Sequence, residues 1–353
     1  MTQININNNS HYFYRVLFTF FIALAHSGFI SNDSRSLYLG VDYFFVVSGF
    51  FIAMAAESKS VSTYEYTLSR IKKLWPHVIF SFILLLFVNG GLNPLELTHS
   101  FLFHITEVIP GAYFLNAPGI LGEYVYAYNF PIWYLTILIL CGGVVHYFIK
   151  EHKNLFLATA PFLVAIFYGV IRKECPSFNS GNRFGYFCDA YILRGSAGLM
   201  GGGVIFYLIK DVNNYKKRIY YLARIIEAFV LFSIVYMIFF MGNSKKDIII
   251  IIFLYMLVYL GFFYKDDSCN ELKSKILKYT NDLMYPVYLN HIVVKNIIYK
   301  AGVLRYFDNR NLQIVFYFAC TIIFSAITNF ILKIILKFYL QIKERMIEEE
   351  SQK

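Results

Sequence analysis

The chain has 353 residues, 58% of them apolar and 20% aromatic, and its mean hydropathy is clearly positive. That is too apolar for a soluble domain of this length, and the apolar stretches are too long for the strands of a membrane β-barrel. The net charge of +10 does not point to nucleic acid, because the basic residues are scattered through short connections and are not gathered on one basic module.

These observations predict an all-α, polytopic integral membrane protein. About ten transmembrane helices are expected, at 12–30, 39–57, 76–92, 131–149, 155–171, 192–209, 225–241, 247–264, 283–300 and 312–336. The opening MTQININNNS is polar and lacks a basic n-region, so the apolar run after it reads as a retained span and not as a cleaved signal. With the N-terminus inside, the connections on that side carry twice the lysines and arginines of the opposite side, and the connection from Leu92 to Phe130 has none. The positive-inside rule therefore places both termini in the cytoplasm.

The first span carries Arg15 and His26, with ten residues between them. That spacing is about three helical turns, roughly 16 Å along the axis and nearly on one face. Ionisable groups at membrane depth are costly and mark function. The plain alternatives are an arginine that snorkels to the headgroups and an interfacial histidine. The second span opens with GVDYFFVVSGF, Gly40 to Phe50, which contains Asp42 and Ser48. Ser48 lacks the elbow pattern of a hydrolase nucleophile, so helix packing or a hydrogen bond to a ligand is expected of it. A basic hook, YTLSRIKKLWPH from Tyr66 to His77, holds Arg70, Lys72 and Lys73 at the cytoplasmic start of the third span; its alternative role is topology signalling alone.

Within the connection from Leu92 to Phe130, the stretch LTHSFLFHITEVIPGAYFL is too short and polar to span yet too apolar for a free loop. An interfacial or re-entrant piece over an outward cavity is expected there. Its His99 and His104 are five apart and do not share a helix face, so they read as interfacial histidines and no metal site is predicted. Trp133 opens the fourth span. Cys175 and Cys188 fall in one outer connection, CPSFNSGNRFGYFC, where a disulfide is permitted and two free thiols are the alternative. Gly198, Gly201, Gly202 and Gly203 lie in the sixth span, and the small-xxx-small pair Gly198 and Gly202 suits close helix packing or backbone approach to a ligand. The ninth span contains YPVYLNH, with Tyr285, Tyr288, Asn290 and His291 near mid-membrane, where a structural histidine is as acceptable as a functional one. No internal repeat or low-complexity linker divides the chain, so residues 1–340 read as one membrane domain and 341–353 as a charged, helical cytoplasmic tail.

Taken together, Arg15-x10-His26, GVDYFFVVSGF, the basic hook and YPVYLNH resemble the membrane-bound acyltransferase-3 family, which includes bacterial O-acetyltransferases of surface polysaccharides. The resemblance implies an integral membrane O-acyltransferase of the bacterial cytoplasmic (inner) membrane. Its acyl donor would be acetyl-CoA as co-substrate, and its acceptor a hydroxyl of a cell-envelope glycan (O-antigen, capsule or exopolysaccharide) or of its lipid-linked precursor. Two departures matter. The family often shows two arginines in the hook, where this chain has Arg70 and Lys73, keeping charge but losing a bidentate fork. Many relatives also follow the fourth-helix tryptophan with an acidic residue, whereas IWYLTILIL has none after Trp133. The chain ends after the tenth predicted span, so no additional esterase-like domain is expected.

The chemistry of acyl transfer to a hydroxyl needs a base, and His26 is the candidate. Asp42, beginning the next helix in the same half of the membrane, is the candidate to orient that imidazole; helix capping or another polar contact is the alternative. Cations are needed for the donor phosphates, which Arg70, Lys72 and Lys73 would supply, with Arg15 nearer the pantetheine arm. Ser48, Trp133, Tyr288, Asn290 and His291 would line the substrate cavity. The partners are acetyl-CoA, the glycan and the lipid bilayer, with no nucleic acid and no metal; monomer and homo-oligomer are both left open. The rival from another class is a transporter or exporter of a polysaccharide or lipid-linked intermediate using the same polar cavity.

Overall fold

The computed structural model describes residues 9–30, 35–58, 61–90, 98, 101, 104–112, 127–179, 183–184, 188–210, 217–240, 242, 244–263 and 271–351. Ten long helices run through them: α1 Asn9–His26, α2 Gly40–Glu57, α3 Thr63–Gly90, α4 Ile132–Glu151, α5 Lys153–Glu174, α6 Ala190–Lys210, α7 Lys217–Phe240, α8 Asp247–Phe262, α9 Glu271–Lys300 and α10 Arg310–Ser351. A two-residue antiparallel pair, β1 Arg183–Phe184 and β2 Cys188–Asp189, closes the connection before α6.

Each predicted span falls on one of these helices. Seven of the ten are long and apolar enough to cross a membrane, and α8 is equally apolar but has only 16 residues. The helices α1 and α9 fall outside that set because polar residues occupy their ends: His11 and Arg15 in α1, and Glu271, Lys273, Lys275 and Lys278 in α9. Large apolar side chains project outward from α5, α7 and α10, among them Phe162, Phe229, Phe232, Phe240 and Phe330. That is the pattern of helices solvated by lipid. The protein is therefore an all-α polytopic membrane protein.

Three boundaries differ from expectation, each for a local reason. The helix α3 begins at Thr63, so the basic hook is helical, and Pro76 lies inside it. In α1 the helix ends at His26, and Gly28 follows with φ 81°, a left-handed turn that glycine adopts without a Cβ penalty. The last helix continues through the charged tail to Ser351.

Two compact units partition the chain, Met1–Ile71 with Trp133–Asn281, and Lys72–Ile132 with Asp282–Lys353. In the first, α2 is buried along most of its length and packs intimately on α6. The contact is backbone to backbone. A Cβ at Gly49 of α2 would lie 2.0 Å from the Leu199 carbonyl oxygen, and one at Gly202 of α6 would lie 1.9 Å from that of Val46. Gly198 meets the Phe45 side chain just as closely, at 2.5 Å. The glycines of the sixth span thus serve close packing, because no side chain fits between the two backbones.

In the second unit, α3 from Lys72 onward is tied to the connection that follows it and to α9. The Trp75 indole N–H donates to the Val108 carbonyl (2.5 Å), and Asn129 Nδ2 donates to Ser81 Oγ (2.9 Å). The Tyr285 hydroxyl donates to the Leu74 carbonyl (2.9 Å), joining α9 to α3.

Candidate functional site

Six of the predicted site residues with described side chains lie on helices of the first unit: Arg15, His26, Asp42, Ser48, Arg70 and Trp133. Arg15 sits half-buried in the second turn of α1, donates from Nη1 to Asn281 Oδ1 at 2.9 Å, and lies 5.9 Å from the centre of the Phe51 ring. A cation over an aromatic face is stabilised electrostatically. His26, half-buried, is the last residue of α1. Ser48 Oγ is 3.1 Å from the Tyr134 hydroxyl, so α2 and α4 present two hydroxyls side by side. Of the two roles expected of Ser48, helix packing or a hydrogen bond to a ligand, this contact is of the first kind.

Asp42 has a different partner from the one expected. Its carboxylate is fully buried and is engaged by Arg194 of α6, whose Nε donates to Oδ1 at 2.9 Å and whose Nη2 donates to Oδ2. Arg194 also donates from Nη1 to the Phe178 carbonyl and from Nη2 to that of Tyr38, each at 3.2 Å. The guanidinium also lies 4.9 Å from the Tyr38 ring and 5.9 Å from that of Trp133. Beyond it, the Tyr38 hydroxyl donates to Asp247, and Ser36 Oγ donates to the same carboxylate at 2.7 Å. Among the described residues Asp42 is thus the anchor of a buried ion pair joining α2 to α6. Trp133 packs on it, against Phe45 and Tyr191, and is almost fully buried.

The hook begins on a stack. His146 of α4 lies flat on Tyr66 with centroids 4.3 Å apart, and the Arg70 guanidinium lies 5.2 Å from the Tyr66 ring centre. Thr63 Oγ1 is 3.0 Å from His146 Nδ1. This aromatic platform orients Arg70 in a way an isolated surface arginine lacks, and His146 was not singled out in the sequence. A pocket of about 480 Å³ opens at the turn between α4 and α5, walled by Glu57, Lys150, His152 and Lys153, and contains none of the predicted residues.

In the second unit Lys72 and Lys73 are exposed on α3. Of the residues expected to line a cavity, Asn290 borders a small pocket with His77, Pro286 and Thr328, and Tyr288, Asn290 and His291 each make a hydrogen bond within the protein. The Tyr288 hydroxyl donates to the Pro131 carbonyl (2.8 Å), Asn290 Nδ2 donates to Thr328 Oγ1 of α10 (2.8 Å), and His291 Nδ1 donates to the carbonyl of Tyr288 one turn back (2.6 Å). All three are buried. Their geometry favours the structural alternative, in which polar side chains join helices inside an apolar bundle.

The connection after α3 holds a buried carboxylate that the sequence did not draw out. Glu107, in a 3-10 turn at Ile105–Glu107, accepts from His104 Nδ1 (2.7 Å) and from the backbone N–H groups of Tyr128 (2.9 Å) and Asn129 (3.0 Å). His104 is thus a paired histidine, not merely an interfacial one. His99 lies outside the described residues, and among those described no cluster of ligands suits a metal.

Cys175 follows α5, is buried and carries a free thiol in this structure, the alternative to the expected bridge; the backbone of Cys188 pairs with Phe184, but its side chain lies outside the described residues.

Comparison with curated proteins and with solved structures gave no match. A family model described as an acyltransferase domain, that of the acyltransferase-3 family, matches residues 9–330. That span runs from the first residue of α1 to within α10 and takes in every predicted site residue. The chain therefore belongs to the acyltransferase-3 family and is a multi-pass membrane acyltransferase.

Proposed function

We propose that this enzyme takes acetyl from cytoplasmic acetyl-CoA and places it on a hydroxyl of a cell-envelope glycan or its lipid-linked precursor, in the cytoplasmic membrane of a bacterium with both termini inside. The observation that carries this assignment is the polar lining that α1 brings into an apolar bundle: Arg15 held by Asn281, with His26 on the same helix. A fixed cation and a titratable imidazole on one helix suit a transfer that begins with an anionic donor and ends with loss of a proton. His26 is the base. Arg15 engages the donor arm, and Arg70, Lys72 and Lys73 receive its phosphates. Asp42 supports the fold of this site through Arg194 and does not address the imidazole.

Purified protein tests the assignment directly. Incubated with acetyl-CoA and de-O-acetylated envelope glycan, it should form acetylated glycan and free CoA at a rate that depends on His26. Movement of unmodified glycan across proteoliposomes, without acetyl-CoA consumption, would instead establish a transporter.

The donor site makes a second prediction. Arg70→Ala and Lys73→Ala should each raise the acetyl-CoA concentration needed for half-maximal rate by about ten- to a hundredfold, since a charge-assisted hydrogen bond is worth roughly 1.5–3 kcal/mol. Lys73→Arg should be tolerated. Wild-type donor dependence in both alanine variants would return the hook to a topology signal.

The same topology places Cys175 and Cys188 outside the cytoplasm, where a bridge between them is expected. Closing a loop of this size stabilises by about 3 kcal/mol on the chain-entropy estimate. Cys175 is nearly inaccessible, and burial, with Asp189 and Glu174 adding to it against an opposing Lys245, pushes its thiol pKa up. Alkylation must therefore be read after denaturation. Mass spectrometry should find both cysteines unmodified until reductant is added, and modification of both beforehand would exclude the bridge.

A further inference from the structure

The carboxylate of Glu107 is fully buried, and its oxygens divide three donors between them, His104 and Tyr128 on Oε1 and Asn129 on Oε2. Both oxygens already accept backbone N–H groups, so the proton in the contact with His104 belongs on Nδ1. That fixes the tautomer and leaves a lone pair on Nε2. A second constraint holds the ring in place: it lies flat on Tyr128, centroids 3.7 Å apart and planes within 20°.

Nε2 of His104 makes no hydrogen bond among the described residues, and the side chain keeps 7% of its surface exposed. Nε2 of His11 and of His146 and Nδ1 of His77, which also have no partner there, are sealed. A clasp that only closed the connection would be complete with Glu107 and the two backbone N–H groups. The imidazole adds an oriented acceptor that the clasp does not need. A second acceptor without a partner, Asn129 Oδ1, is buried on the residue whose N–H binds Glu107.

We propose that His104, oriented by Glu107, is a binding group for a hydroxyl of the acceptor. This rests on the acyltransferase function proposed above, in which the connection between α3 and α4 faces away from the cytoplasm. A fixed lone pair selects a hydrogen-bond donor, as a sugar hydroxyl is. The connection from Leu92 to Phe130 has no lysine or arginine to meet an anion, and a neutral hydroxylated sugar is the class proposed. His104 binds the acceptor and is assigned no part in proton removal.

Two measurements test this. In His104→Asn the amide can still donate to Glu107, but nothing stands where Nε2 was. With de-O-acetylated glycan from a strain lacking the gene as acceptor, the variant should need about three- to tenfold more glycan for half-maximal rate, the cost of one neutral hydrogen bond. Its dependence on acetyl-CoA and its slow acetyl-CoA hydrolysis without acceptor should match wild type. Unchanged glycan dependence would make His104 a structural clasp. The second measurement uses wild-type protein and does not depend on the variant folding. Diethyl pyrocarbonate modifies a free imidazole nitrogen, and the same glycan, but not acetyl-CoA, should slow modification of His104 as read by peptide mass spectrometry. An unaffected rate at saturating glycan would overturn the proposal. Protection without any acetyl-CoA turnover in wild type would keep the glycan site and overturn the acetyl-transfer function instead.

Discussion

Replacing His26 by alanine is expected to lower glycan acetylation by two to four orders of magnitude, the usual contribution of a positioned general base. The protein should still reach the membrane in normal amount, because His26 is only half-buried and ends α1, where a shorter side chain leaves the helix intact. Acetyl content of envelope glycan from complemented cells, set against membrane protein level, reads both quantities. Wild-type acetylation by this variant would remove His26 from the mechanism. Loss of the protein itself would mean that His26 holds α1 in place.

Breaking the pair between Asp42 and Arg194 should be the most destabilising single change in the first unit. Arg194→Ala leaves a fully buried carboxylate without its partner, and orphaning one member of such a pair costs about 3–5 kcal/mol. The expected result is early thermal unfolding in detergent and little mature protein. Replacing both members with apolar residues of similar size, Asp42→Leu with Arg194→Met, should recover much of the folded fraction, since neither charge is then left alone. The same pair of variants decides what Asp42 does. Activity per folded molecule near wild type in the double variant fits an anchor, whereas stable protein with the activity loss of His26→Ala would show that Asp42 acts on the imidazole.

The helices were legible in the sequence because lipid imposes one simple rule, long apolar segments with internally bonded backbone, and every predicted span has its helix. Helix ends were less legible. The hook read as a connection because its charges mask a helical pattern that starts at Thr63, thirteen residues before the predicted span. Arg15 and His26 stand out as candidates because they are ionisable inside an apolar run. Partners were not legible. Arg194 lies one helical turn before Gly198, on the α6 face packed against α2, and that is what brings it to Asp42. An arginine two residues inside a predicted span was the available signal. Glu107 and His104 are only three apart, but nothing in the sequence says that the N–H groups of Tyr128 and Asn129 return to complete the pair. Mid-membrane placement made Tyr288, Asn290 and His291 look like cavity residues, and it cannot distinguish a wall facing ligand from one facing a neighbouring helix.

The ion pair between α2 and α6 also imposes an order on biosynthesis. Asp42 leaves the ribosome 152 residues before Arg194, and at about 5–20 residues per second that interval is many seconds long. Throughout it, the second span exists with an acidic side chain and no cation to receive it, and its glycine face at Gly49 has no opposing backbone. A carboxylate in that position is costly in lipid and is best kept beside the insertion machinery until the sixth span arrives. Maturation of this bundle is therefore gated by a late helix, and a nascent chain released before Arg194 is made would carry the mark of an unfinished protein, a lone acid in lipid, for quality-control proteases to read.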